Sequence, residues 1–307
     1  MKVVFMGTPE FAVPILDAVA GAHEVAAVVT QPDAPQGRSR RLIPSPVKRR
    51  AEELGISVHT FEKVRAPQAA ETLEALQPDV MVTAAYGQIL SQRNLSAAKY
   101  GVVNAHASLL PKYRGSAPVN WCIMEGERET GITTMFTARG VDTGDMIFSE
   151  KVEILPYETA GELLMRLAPV GARVMLKTLE ALERGNCPRI PQDEALASYY
   201  PMLKKEDGRL DFTQAAQRVA DRCRGGDPWP GAYGHLDGQR LKLFDPRVME
   251  GDGAPGQVLS FSPKEGMIVA CGSGALRFLR VQPDGKKPMA DVDFIRGRKE
   301  VPRGFDL

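Results

Sequence analysis

Cysteine and histidine are scarce in this chain, four of each in 307 residues. Cys122, Cys187, Cys223 and Cys271 stand far apart, with no Cys-x-x-Cys and no histidine at zinc spacing. A chain this long has core enough to need no disulfide or metal staple, and the pattern argues against a bound metal and fits a reduced, cytoplasmic compartment. Cys223 and Cys271 are expected to pack as small apolar residues. No apolar run approaches the roughly 18 residues of a membrane span, so no membrane contact is expected. The opening MKVVFMGTPEF holds one lysine and too short an apolar run for a signal peptide. A formal net charge of +1 excludes a chain-wide basic field, so any nucleic-acid surface must be local. Gly7 is followed by Thr8 and Pro9, so G-x-G-x-x-G is missing and a nicotinamide dinucleotide site is not supported. Internal repeats and low-complexity segments are absent too.

The residues that are there describe two domains. A length of 307 residues with 43% hydrophobic and 25% charged content suits two soluble globular domains. Apolar runs at 2–7, 23–30, 79–87 and 101–106 read as buried strands. Stretches 9–21, 45–54 and 67–77 have helical character. Strands apolar throughout suit a parallel sheet covered on both faces. The expected fold class is therefore α/β, a doubly wound, mostly parallel, Rossmann-like sheet over 1–183. It should be completed by antiparallel strands after residue 125 and a helix near 159–183. A proline-rich polar stretch, 184–203, reads as a linker. Short punctuated strands then predict a small β-barrel over 204–307.

Asn104 and His106 stand two apart at the end of the fourth strand, so they should project together. Ligands of open α/β sheets bind at that carboxyl edge. A carboxamide can donate to a developing oxyanion, and an imidazole can move a proton at neutral pH. The pair suits acyl transfer to an amine; an Asn that merely ends a strand beside a packed His is an equal alternative on these two residues. In RGVDTGDM, Asp142 sits in a glycine-bounded turn, 36 residues after His106. A carboxylate there could orient the ring. It could equally be a turn residue chosen for its local geometry. The Asp-Thr-Gly triplet occurs once, so a paired-aspartate protease is rejected. Ser108 lacks the G-x-S-x-G elbow, which weakens a serine-hydrolase reading. His23, His59 and His235 have no partners in sequence and should be surface or core residues.

Residues 30–50 hold Arg38, Arg40, Arg41, Lys48, Arg49 and Arg50 against one acid, Asp33. Prolines and a glycine should keep this stretch out of regular structure until the next helix, on which Lys48 to Arg50 should lie. A basic loop beside a sheet's ligand edge reads as a phosphate or nucleic-acid contact.

NAHASLLP followed by GVDTGD resembles the signature of the folate-dependent formyltransferase superfamily. GTPEFA, TQPD, PSPVK, AAYGQIL, RGSAP and DPWPGA fall in the order of its methionyl-tRNA branch, over the whole chain. The resemblance implies that Asn104, His106 and Asp142 form a catalytic trio and that 10-formyltetrahydrofolate is the formyl donor. It implies that Ser108, Leu109, Leu110 and Pro111 help to hold the donor, with no metal. The implied acceptor is the methionine α-amino group on initiator Met-tRNA, for translation initiation. Arg38 matches the arginine of a loop that enters the tRNA acceptor stem, with Arg40 and Arg41 beside it. The barrel would be of OB type and lie along the tRNA. From residue 201 on, 18 Lys and Arg face 15 Asp and Glu, a weak skew in that direction. A cytoplasmic monomer is expected. The nearest rival is a formyltransferase acting on a sugar-nucleotide or other small amine. A folate hydrolase and a non-catalytic RNA-binding module are more distant ones.

Overall fold

The computed structural model describes residues 1–36, 41–298 and 300–307. In chain order the elements begin with β1 (Lys2–Gly7), α1 (Val13–Ala22), β2 (Glu24–Thr30), β3 (Ala34–Gln36), β4 (Arg41–Ile43), α2 (Pro46–Glu53) and β5 (Val58–Thr60). They continue with α3 (Pro67–Ala75), β6 (Val80–Ala84), α4 (Gln92–Leu95), β7 (Val102–His106), β8 (Arg114–Gly115) and α5 (Pro118–Met124). Next come β9 (Glu129–Phe136), β10 (Met146–Glu153), α6 (Ala160–Glu183), β11 (Tyr199–Tyr200) and α7 (Ala216–Gly225). The last are β12 (Tyr233–Leu236), β13 (Gln239–Met249), β14 (Val258–Ser262), β15 (Gly266–Ala270), β16 (Ala275–Pro283), β17 (Met289–Ala290) and α8 (Asp291–Arg296). The chain forms two compact units, each discontinuous in sequence. The first comprises 1–115, 130–152 and 164–200; the second comprises 116–129, 153–163 and 201–307.

A seven-stranded sheet of order β10-β9-β7-β6-β1-β2-β5 builds the first unit. β1 pairs in parallel with β2 and β6, β2 with β5, and β6 with β7, while β9 runs antiparallel to β7. Val3, Val4, Phe5 and Met6 of β1 are all fully buried, as covered parallel strands require. The strand order reverses at β1, because β2 and β5 lie on one side of it and β6 and β7 on the other. That switch point puts the ligand crevice of an open α/β sheet at the carboxyl ends of β1 and β6, one strand from β7. Local chemistry sets the helix starts. Ser45 caps α2 by accepting from Lys48 N at 3.0 Å, with Pro46 in the first turn, where its missing N–H costs nothing.

The stretch from 30 to 50 corrects the expectation of a loop without regular structure. β3 and β4 pair antiparallel in a two-stranded sheet, Ala34 opposite Ile43 and Gln36 opposite Arg41. Pro35 is compatible with this because a two-stranded ribbon leaves one edge of each strand free of ladder bonds. Arg41 is exposed at the start of β4, whereas Arg38 and Arg40 lie outside the described residues. Lys48 and Arg50 lie on α2 as expected. Lys48 Nζ bonds both oxygens of Asp33 at 2.8 and 2.9 Å, and Arg50 reaches Asp17 at 2.7 Å.

The second unit holds an antiparallel sheet of order β12-β13-β16-β15-β14, with β17 added on β16. Its core gathers Phe212, Leu243, Met267, Val269, Leu276, Phe278 and Val281, together with Val219 of α7. Cys223 and Cys271 belong to that core, and burial pushes the Cys271 thiol up to about 11. The tail completes a barrel. Gly304 bridges Gln257 and Phe305 bridges Leu236, so one short segment satisfies both outer edges, β12 and the start of β14. Phe305 also packs on Phe212, ring centroids 4.8 Å apart. The fold is thus a doubly wound α/β sheet followed by a small barrel-type sheet. Among the described residues no helix is long and apolar enough to cross a membrane.

Candidate active site

Asn104 and His106 project from β7, flanked by Thr83 of β6 and by Met135 and Thr133 of β9. The Thr83 hydroxyl donates to Asn104 Oδ1 at 2.9 Å. That bond occupies the oxygen of the carboxamide and leaves the NH2 as the end that can meet a carbonyl oxygen. His106 is 6% exposed. Its Nε2 lies 2.9 Å from the Tyr113 carbonyl oxygen, which can only accept, so Nε2 carries a proton. Nδ1 is therefore the nitrogen left for chemistry. It faces Asp142 Oδ2 at 3.7 Å, too long for a hydrogen bond but close enough for an ion pair when the ring is charged.

Asp142 stands in the left-handed region, φ 54°. Its carboxylate Oδ2 also accepts from Gly115 N at 2.8 Å. Two glycines make this turn possible. A side chain at Gly144 would collide with the Phe136 carbonyl, and one at Gly115 (φ 100°) with the Tyr200 carbonyl. The structure thus brings Asp142 to the His106 imidazole, with Asn104 two residues earlier on the same face of β7.

Ser108 follows directly and is fully buried. Its hydroxyl donates to the Lys112 carbonyl at 2.8 Å, and its own carbonyl accepts from Thr133 Oγ1 at 2.7 Å. The hydroxyl is committed to a turn, which removes it as a nucleophile. Leu109, Leu110 and Pro111 continue the same turn, anchored where Leu110 N donates to Thr133 Oγ1 at 3.2 Å. The other histidines have different neighbours. His59 stacks on Phe61, His235 meets Tyr233 edge-on, and His23 sits 3.4 Å from the terminal amine.

Apart from RGSAP, which holds Arg114 and Gly115, the sequence pointed to none of the groups that brace the turn. The stretch expected to be a linker supplies them. β11 pairs in parallel with β8, and Ser198 Oγ accepts from Tyr113 N at 2.9 Å. Gln192 Nε2 donates to the carbonyls of Asp142 and Gly144 at 2.9 and 2.7 Å. Arg114, fully buried, is clasped by Glu194 at 2.8 and 3.0 Å. This hydrogen bonding raises the Arg114 guanidinium above its usual value and lowers the Glu194 carboxyl. Isolated polar residues in a proline-rich stretch carry no periodic signal by which to find them. A separate cavity of about 470 Å³ lies beyond the carboxyl ends of β2 and β6, lined by Gln31, Glu62, Lys63, Arg65, Gly87, Gln88 and Ile89.

Residues 1–179 match the family described as formyl transferase, and residues 202–299 match its C-terminal domain. The chain belongs to the formyl transferase family. Its curated relatives include the methionyl-tRNA formyltransferase of Geobacter metallireducens, 47% identical over 98% of this chain and 97% of that one. The methionyl-tRNA formyltransferase of Moorella thermoacetica is 46% identical over 98% of both chains. Among solved structures, the N-formyltransferase of Helicobacter canadensis in complex with folinic acid and dTDP-3-aminofucose aligns with TM-score 0.69 at 17% identity, covering 91% of this chain and 99% of that one. HypX of Aquifex aeolicus in complex with tetrahydrofolic acid aligns with TM-score 0.65 at 18% identity, over 100% of this chain and 51% of HypX. At such identity these two share the fold. As a formyltransferase, the chain places its polar trio at the sheet edge that the fold reserves for ligands.

Proposed function

We propose that this formyltransferase moves the formyl group of 10-formyltetrahydrofolate to the α-amino group of methionine on initiator tRNA. Its support is similarity along nearly the whole chain to enzymes named for that reaction. The chemistry rests on one observation: His106 turns Nδ1 toward Asp142, and two residues earlier on the same strand Thr83 already takes the Asn104 amide oxygen. These groups fit a formyl carbonyl, because a free amide N–H and an imidazole nitrogen are what a developing oxyanion needs.

The donor, when bound, supplies an activated formyl carbon with a folate nitrogen as its leaving group. Asn104 Nδ2 and protonated His106 Nδ1 donate to the carbonyl oxygen as it gains charge. Asp142 stabilises the imidazolium without itself becoming protonated. His106 Nδ1 then gives its proton to the folate nitrogen as that bond to carbon breaks, and takes in exchange the proton that the attached amine must lose. The amine–carbon bond forms, the bond from that carbon to the folate nitrogen breaks, and the proton ends on the folate nitrogen. No metal and no covalent enzyme intermediate take part. Ser108, Leu109, Leu110 and Pro111 form the turn that holds the folate. Arg38, Arg40 and Arg41 contact the acceptor stem. Residues 1–183 carry the chemistry, 184–203 connect, and 204–307 lie along the tRNA. The enzyme works as a monomer in the cytoplasm.

Formylation assays with charged initiator tRNA, charged elongator tRNA, a dTDP-amino sugar and no acceptor test the reading. Formyl transfer to the initiator tRNA is expected. Faster transfer to the amino sugar would move the chain to the small-amine branch, and release of formate without acceptor would make it a hydrolase.

A further inference from the structure

Gln192 lies in the irregular segment after α6, and its amide is fully committed. Oε1 accepts from Arg114 Nε at 2.9 Å, while Nε2 donates to the Asp142 and Gly144 carbonyls at 2.9 and 2.7 Å. A guanidinium only donates, so Arg114 fixes which end of the amide faces the 142–144 turn. Arg114 is itself held by several partners. It is fully buried, forked onto Glu194, bonded to the Tyr199 hydroxyl, and set 5.1 Å over the Tyr199 ring. The neighbouring Gly115 N holds Asp142 Oδ2, the oxygen that faces His106 Nδ1. Asp142 meanwhile keeps a backbone conformation, φ 54°, that L side chains rarely adopt. Nothing in the transfer chemistry itself needs Gln192, which faces Asp142 through its backbone.

We infer that Gln192, aimed by Arg114, is a positioning residue for formyl transfer: it holds the 142–144 turn so that the Asp142 carboxylate faces His106. The inference rests on the reading that His106 and Asp142 act in the transfer. Single-turnover and steady-state kinetics on the full chain test it with Gln192→Ala, Gln192→Glu, Asp142→Asn and the double variant Gln192→Ala/Asp142→Asn. Gln192→Ala is expected to lower kcat about 10- to 100-fold, the usual cost of a misplacement near 1 Å, with KM for folate and tRNA unchanged. Gln192→Glu keeps the acceptor for Arg114 but points an oxygen at two carbonyls. It should show the same loss in kcat, and it decides the matter if the alanine variant fails to fold. In the Asp142→Asn background Gln192→Ala should have no further effect, because the residue acts only through that carboxylate. Wild-type kcat in both Gln192 variants overturns the inference, as does an equal loss with and without Asp142. Wild-type turnover in Asp142→Asn alone would instead overturn the reading of the site, and the inference with it.

Discussion

In the first unit, His106, Asp142 and Arg114 are largely or wholly buried, and each is held by directed polar partners. In the second unit, the barrel closes around Phe212, Phe278 and Phe305, whose rings meet at centroid distances of 4.8 to 6.3 Å. The two regions fail differently. A directed bond is lost when one atom moves, whereas an apolar core is weakened in proportion to the volume removed. Damage to the incompletely buried Asn104 and Asp142 should therefore appear mainly in rate. Damage in the barrel should appear in stability with little change in rate per folded molecule.

Phe278→Ala gives the largest expected effect. Emptying a fully buried aromatic site costs about 3–5 kcal/mol of unfolding free energy, read from urea titration. The kcat of the folded enzyme should stay near wild type, and a hundredfold fall in it would erase the contrast between the regions. Asn104→Ala comes next and mirrors it. Loss of one oxyanion donor should lower kcat about 100- to 1,000-fold while the urea midpoint hardly moves; full activity would remove Asn104 from the trio. Arg41→Ala, on an exposed strand end, should raise the tRNA KM and flatten its logarithmic salt slope by about 0.9, one phosphate's worth. An unaltered slope would take that ribbon out of the tRNA site.

Asp227→Asn is the smallest change and probes a polar group placed in the barrel unit. Burial pushes the Asp227 carboxyl up; Arg280 opposes this, and Asp245 and Glu162 add to it. Folded Asp227 keeps its proton above 3.8, the value at which the unfolded chain releases it. The folded state binds more protons in that window, so stability falls as pH rises through it and stays lower at neutral pH. Asp227→Asn should thus raise the urea midpoint at pH 7, and the gain should vanish near pH 3. Equal midpoints at pH 7 would show that the carboxylate is not disfavoured there.

Periodicity made most of the architecture legible. β1, β2, β6 and β7 fall within the apolar runs that announced them, and α6 starts within a residue of its expected place. The β3–β4 ribbon was hidden because prolines signal breaks more strongly than three-residue strands signal order. The tail at 304–306 closes the barrel through backbone bonds, which leave no trace in side-chain pattern. At the site, Asn104 and His106 could be paired from their spacing of two on a strand.

The order of residues alone determined the covered parallel sheet, the strand that carries the carboxamide and imidazole, and the family, because apolar spacing and short motifs are local properties. Only the tertiary structure decided which His106 nitrogen is free and that Thr83 turns the Asn104 amide. It also decided that Gln192 and Arg114, 78 residues apart, hold the Asp142 turn together. Those choices depend on the direction of single hydrogen bonds between distant segments, and direction exists only once the chain has folded.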